Sequence, residues 1–190
     1  MNPVAQALWF SAPVIIAGLL HVAVIRLDWL PALARLPLDA GYTFRGRRLL
    51  GDNKTVRGAV VMISSTIVAA SALAWAGGES YQHLAVAELQ RDQAALWGLL
   101  LGIGYVLGEL PNSFLKRQLD IAPGAIPRNG CGAVFWTLDQ LDSVLGIFLA
   151  LAFAWRPDAI FALLVIVVAL VLHPAVAALM VMVKLKDRIG

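Results

Sequence analysis

Asp139 and Asp142 stand three residues apart in Asp139-Gln140-Leu141-Asp142. On a helix that spacing points both carboxylates the same way. At a membrane boundary such a pair repels itself and loses hydration. A hard divalent cation relieves both costs, and Mg²⁺ is typically held by one or two carboxylates together with substrate phosphate oxygens. The other reading is a pair of solvated residues at a helix start, favoured by the helix dipole.

Two further stretches carry the remaining polar groups. In Gly108-Glu109-Leu110-Pro111-Asn112-Ser113-Phe114-Leu115-Lys116-Arg117, a continuous helix puts Glu109, Asn112, Ser113 and Lys116 on one face, with Arg117 beside it. If Pro111 instead opens a new helix, Asn112 to Arg117 keep their register and Glu109 is re-aimed. In Gly51-Asp52-Asn53-Lys54-Thr55-Val56-Arg57-Gly58, Lys54 and Arg57 with Asn53 and Thr55 precede a helix, which makes a seat for phosphate. The same stretch also reads as a flank of snorkelling cations beside a span. It is not a Walker A loop, because the spacing and the preceding strand are missing. Cations for phosphate, an acidic pair for metal and apolar walls together suit phosphoryl or nucleotidyl transfer to a lipid-borne phosphate. No Ser-His-Asp ordering or reactive-cysteine setting points to acyl chemistry. The one cysteine, Cys131, excludes an intrachain disulfide and reads as a small residue in a Gly-Cys-Gly turn.

The elements that position these stretches are membrane helices. The chain has 190 residues, 60% hydrophobic and 14% charged, with mean hydropathy +0.78, against about 25% charged in ordinary soluble domains. The expected fold is all-α: one polytopic helix bundle over 1–190, with spans near 4–25, 58–77, 94–110, 133–155 and 159–183. The first is read as a span and not a secretory signal, since no lysine or arginine precedes Val4. His21 in that span is expected to make a helix–helix hydrogen bond. Gly98-x3-Gly102 and Gly104-x3-Gly108 put flat small stripes on the third span, fit for packing inside the bundle or in a homodimer. Pro123-Gly124 and Asn129-Gly130 read as turns, His173-Pro174 as a kink, and His83 as a surface residue.

Alternating five spans puts 26–57, 111–132 and the C-terminus on one side. That side holds thirteen of the fifteen lysines and arginines, Arg128, Lys184, Lys186 and Arg188 among them. The positive-inside rule makes it cytoplasmic, with the N-terminus outside and the C-terminus inside. All three polar stretches fall on it. The expected location is the cell (inner) membrane with the active site facing the cytoplasm, and no nucleic-acid partner is expected.

Gly51-x-Asn53-Lys54-Thr55-x-Arg57-Gly58, Gly108-Glu109-x3-Ser113-Phe114-x-Lys116-Arg117 and Asp139-Gln140-Leu141-Asp142 resemble, in order and spacing, the motifs of the CDP-archaeol synthase family. That family is more distantly similar to the phosphatidate cytidylyltransferases. The resemblance implies CTP and a lipid monophosphate as substrates, a CDP-activated lipid and pyrophosphate as products, and Mg²⁺ as cofactor. It also implies roles. Asp139 and Asp142 hold the metal, and Lys116, Arg117 and Lys54 neutralise CTP phosphates. Asn53, Thr55 and Arg57 help bind nucleotide or lipid phosphate, and Ser113 and Asn112 orient them. Catalysis falls to Lys116, Asp139 and Asp142. Glu109 takes a position that is usually aspartate and is a third candidate for the metal. The His-Gly-Gly turn of the phosphatidate branch is absent. From another class, a lipid transporter or membrane assembly factor with a phosphate-binding vestibule needs neither metal nor CTP. An Asp-Gly-x-x-Ala-Arg run, expected of a CDP-alcohol phosphotransferase, does not occur.

Overall fold

Asn2 opens the first helix, α1 (Pro3–Arg26): its Oδ1 accepts from Val4 N at 3.0 Å, and Pro3 takes the first helical place, where a missing N–H costs nothing. The computed structural model describes residues 2–78, 91–125, 130–152 and 154–184. A single turn, α2 (Pro31–Ala34), and a two-stranded hairpin, β1 (Thr43–Phe44) with β2 (Arg47–Arg48), separate α1 from α3 (Val56–Ala76). Then follow α4 (Ala94–Gln118), α5 (Gly132–Leu151) and α6 (Ala159–Met182). Thr55 caps α3 by accepting from Gly58 N, and Asp158 caps α6 by accepting from Phe161 N. Among the described residues, five helices are long and apolar enough to cross a membrane, so the chain is a polytopic membrane helix bundle.

α4 is the central helix, packed most extensively on α3 and α5. Its two glycine stripes serve different neighbours. A Cβ on Gly98 would lie 2.7 Å from Ile67 Cα, and one on Gly102 2.8 Å from Ile63 Cα, both on α3. A Cβ on Gly104 would lie 2.7 Å from Ile147 Cα on α5. Without hydrophobic drive between helices in lipid, such close backbone approach is the main source of cohesion. Both stripes are therefore used within the chain. α1 lies on α3 and α6, and at the end far from the polar stretches Phe10, Trp155 and Phe161 form an aromatic cluster with centroids 5.4–5.8 Å apart.

Several sequence expectations change. The third span does not stop at Leu110; helix continues through Pro111 to Gln118, since proline here removes one hydrogen bond and the polar contacts of the following turns hold the helix together. The fourth ends at Leu151, four residues short of Trp155, and α6 runs unbroken through Pro174. The hairpin was not foreseen. His21 makes no hydrogen bond among the described residues; its ring packs beside Gly58, 3.5 Å from where a Cβ would stand. Pro123 and Gly124 do form a turn. The acidic loop over 79–90 with His83, the Arg128 and Asn129 positions, and Lys186 and Arg188 lie outside the described residues.

Candidate active site

Asp39 organises the loop that delivers Lys54. Its side chain is buried and accepts from Gly41 N (3.0 Å), Leu50 N (2.9 Å) and the Arg48 guanidinium (2.7 Å). The Arg48 guanidinium, working against burial and helped by the two backbone amides, holds its carboxyl at about 2. The chain then returns antiparallel to itself, with Leu38 N donating to Lys54 O and Val56 N to Leu36 O, both at 2.8 Å. Arg47 ties the hairpin to the end of α4, donating to the Gln118 carbonyl and pairing with Asp120 at 2.6 Å. Phe44 rests near Phe114, with ring centroids 6.0 Å apart.

Lys54 so placed pairs with Glu109 on α4. Burial works against its ammonium, but the Glu109 carboxylate more than offsets this and keeps Lys54 above the ordinary lysine value. One helical turn on, Asn112 is buried, and its Nδ2 donates to Asp139 Oδ1 (2.7 Å) and Asp142 Oδ2 (2.9 Å). Lys116, also buried, pairs with Asp139 and lies 5.9 Å from the Phe135 ring centroid. The Ser143 hydroxyl reaches Asp142 Oδ1 at 3.1 Å and Glu109 Oε1 at 3.4 Å. Arg117 has no carboxylate partner among the described residues, and its Nε is buried without a hydrogen bond.

These groups line one cavity of about 270 Å³, which takes in Asn53, Lys54, Glu109, Asn112, Ser113, Lys116, Arg117, Asp139 and Asp142. It adjoins a narrower apolar crevice of about 90 Å³ between α1, α5 and α6; Tyr105, His173 and Val176 line both. Of the residues expected at the site, Thr55 and Arg57 do not line the cavity. Thr55 is spent on its helix cap, and Arg57 turns to Asp28 (3.0 Å) and the Trp29 carbonyl (3.2 Å). Glu109 pairs with Lys54, as Asp139 pairs with Lys116. Sequence reasoning passed over Tyr105 and His173. An ionisable side chain inside an apolar span was the available signal for His173, and it was read only as part of a kink.

Among the described residues no three His, Cys, Asp or Glu side chains are grouped for a metal. The metal-binding groups that converge are the two carboxylates, bridged by the Asn112 Nδ2 that donates to both. This is an all-oxygen set. It suits a hard cation held by two carboxylates and completed by phosphate oxygens, and not an all-protein cage.

A five-helix bundle with lysines and carboxylates gathered in one half-open cavity beside an apolar crevice is an integral membrane protein built to hold a charged group next to an apolar one. A family model described as CarS-like, CDP-archaeol synthase, matches residues 6–189. The CDP-archaeol synthase of Halobacterium salinarum is 36% identical over 143 residues, 73% of this chain and 72% of that protein. That of Halorubrum lacusprofundi is 35% identical over 179 residues, 90% of this chain and 86% of that protein. A solved structure of an intramembrane enzyme for archaeal membrane lipids biosynthesis superposes with a TM-score of 0.63 at 27% identity, covering 89% of this chain and 90% of that one. The chain belongs to the CDP-archaeol synthase family. It is accordingly an enzyme, a CTP-dependent cytidylyltransferase of lipid biosynthesis.

Proposed function

We propose that the protein transfers CMP from CTP to a membrane lipid monophosphate with two hydrocarbon chains, ether-linked isoprenoid or acyl, giving a CDP-activated lipid and pyrophosphate. The observation that carries this reading is the cavity in which Lys54, Lys116 and Arg117 meet Asp139, Asp142 and Asn112 beside an apolar crevice. Lys116, Arg117 and Lys54 neutralise the triphosphate, and Asn112 and Ser113 orient it. A lipid phosphate oxygen attacks the α-phosphorus of CTP. The new P–O bond forms as the bond to the bridging oxygen breaks, and pyrophosphate leaves with that electron pair. Protein residues act chiefly by positioning and charge neutralisation, as phosphoryl chemistry requires. Asp139 and Asp142 are the groups that hold Mg²⁺, which when bound supplies Lewis-acid polarisation of phosphate oxygens. Hydrocarbon chains lie along the crevice between α1, α5 and α6. The concentration of basic residues on the loops around the cavity supports a cytoplasmic active site in the cell membrane.

The test is an assay on purified protein in detergent with CTP, Mg²⁺ and a panel of lipid monophosphates: phosphatidic acid, its lyso form and the di-geranylgeranyl ether. CDP-lipid and pyrophosphate should appear in equal amounts, stop on addition of EDTA, and vanish in Asp142→Asn while that variant stays folded. The preferred panel member names the chains. No product from any lipid, with CTP binding intact, would overturn the reading in favour of a non-enzymatic transporter or assembly factor with a phosphate-binding vestibule.

A further inference from the structure

α6 packs against the core along its first half, with Leu164, Val168 and Ala169 partly buried there. Its only buried residues, Phe161 and Val165, fall in the first two turns, where Phe161 joins the aromatic cluster with Phe10 and Trp155. Beyond them, the hydrogen bonds that tie α6 to another helix, among the described residues, both come from His173. Its Nδ1 lies 3.2 Å from the Asp139 carbonyl on α5, and its Nε2 lies 3.4 Å from the Tyr105 hydroxyl on α4. The imidazole also stands edge-on to the Tyr105 ring, with centroids 6.2 Å apart. A carbonyl can only accept, so Nδ1 carries a proton toward Asp139, while Nε2 faces the Tyr105 hydroxyl, which also meets Glu109 and Ser143. One side chain thus bridges three helices. It does so at a particular spot, because Tyr105 and His173 both line the polar cavity and the apolar crevice. The next residue, Pro174, has no N–H to give the Leu170 carbonyl, so the turn that carries His173 lacks one of its own helix bonds. The following turns contribute Val176, Ala177 and Met180, each only partly buried, to the cavity wall.

We infer that His173 is a positioning residue for the lipid substrate. It latches the cavity-lining half of α6 across the seam between polar cavity and apolar crevice, and so fixes the width of the opening at which a lipid phosphate meets the nucleotide. CTP is gathered by α4, α5 and the loop before α3 and does not depend on the latch. This inference rests on the lipid-phosphate reading above.

The experiment pairs kinetics with a distance measurement that needs no turnover. At saturating CTP, His173→Ala should raise the lipid-phosphate KM about tenfold, the cost of about one hydrogen bond at a seated group. The kcat and the CTP affinity from calorimetry should stay within about twofold, a split expected when only ground-state positioning is lost. Tyr105→Phe, which keeps the ring and removes one end of the latch, should move lipid KM the same way by a smaller factor. His173→Gln should restore much of it. In a Cys131→Ser background, spin labels at the exposed positions Leu115 on α4 and Met182 on α6 should show a broader, longer separation in His173→Ala. Short-chain phosphatidic acid should then narrow the distribution in wild type only. An unchanged lipid KM, or a parallel loss of CTP affinity, overturns the latch. If wild type makes no CDP-lipid yet the labels still separate in His173→Ala, the transfer reading fails and the latch stands. If wild type turns over and His173→Ala moves neither labels nor KM, the latch fails and the transfer reading stands.

Discussion

Lys54 and Glu109, separated by 55 positions in the chain, are ion-paired with side chains only 18% and 25% exposed. The pair fastens the loop before α3 to the central helix and sets a cation at the cavity wall. Breaking it with Glu109→Gln leaves an enclosed ammonium without its counter-charge, and should cost about 3 kcal/mol in denaturant or thermal unfolding in detergent. The double variant Lys54→Met, Glu109→Met should regain most of that stability while still failing to bind CTP. Lys54 is held above its ordinary value, so its contribution is complete below the unfolded lysine value and is lost only as pH rises through the raised one. The stability gap between wild type and the Lys54→Met, Glu109→Met variant, in which neither group titrates, should therefore stay level from neutral pH up to about the unfolded lysine value of 10.4. A gap already closing near neutral pH would contradict the pair as described.

Among the described residues, Asn112 supplies the one hydrogen-bond donor shared by Asp139 and Asp142. In Asn112→Ala the two carboxylates face each other without it, a loss of about 1–3 kcal/mol when no cation is present. Melting curves in EDTA should show the variant clearly less stable than wild type. Added Mg²⁺ should raise its melting temperature more than it raises that of wild type. Equal responses to Mg²⁺ in the two proteins would argue that the aspartates are not where the cation binds.

Asp39 lies outside the cavity, yet it fixes the loop that brings Lys54 to it. Its carboxyl is held at about 2, so its contribution is present above the unfolded value near 3.8 and fades as pH falls through about 2. Amide exchange over residues 40–52 should stay slow at about pH 5 in wild type. Asp39→Asn should speed that exchange at neutral pH and weaken CTP binding, although the residue touches no ligand. Unchanged exchange in the variant would show that the hairpin holds itself together without Asp39.

Gly104 and Gly18 offer a paired test of helix packing. A Cβ at Gly104 meets Ile147 backbone at 2.7 Å, while at Gly18 nothing lies within 4 Å. Gly104→Val should abolish a monodisperse folded species on size exclusion, whereas Gly18→Ala should elute and melt like wild type, or slightly higher through helix propensity. Tolerance of valine at Gly104 would mean that α4 and α5 are not in the close contact described.

The five spans were legible because lipid demands long apolar helices, and the charge count alone gathered the three polar stretches on one side. What escaped followed from local ambiguity or distance in the chain. Pro111 left two readings open, a continuous helix or a new helix start, and α4 passes through it, because the contacts of Asn112 and Lys116 with α5 hold the turns beyond. Thr55 is equally good as a phosphate ligand and as a helix cap, and spacing does not separate the two. Arg57 found Asp28 through the fold of a proline-broken loop that no periodicity reveals. His173 reaches a backbone carbonyl and a tyrosine, neither of which forms a motif.

The charged groups of the cavity all sit between one end of the bundle and its middle: Lys54 just before α3, Glu109 to Arg117 within the last ten residues of α4, and Asp139 and Asp142 between the start and the middle turn of α5. On the proposed chemistry, a lipid presents its phosphate there from the leaflet it already occupies, and the product returns to that same leaflet. No charged headgroup has to cross the hydrocarbon core, where such a passage is costly. Net synthesis then adds area to one leaflet alone, and a growing bilayer needs a separate route for transverse lipid movement to keep its two faces equal.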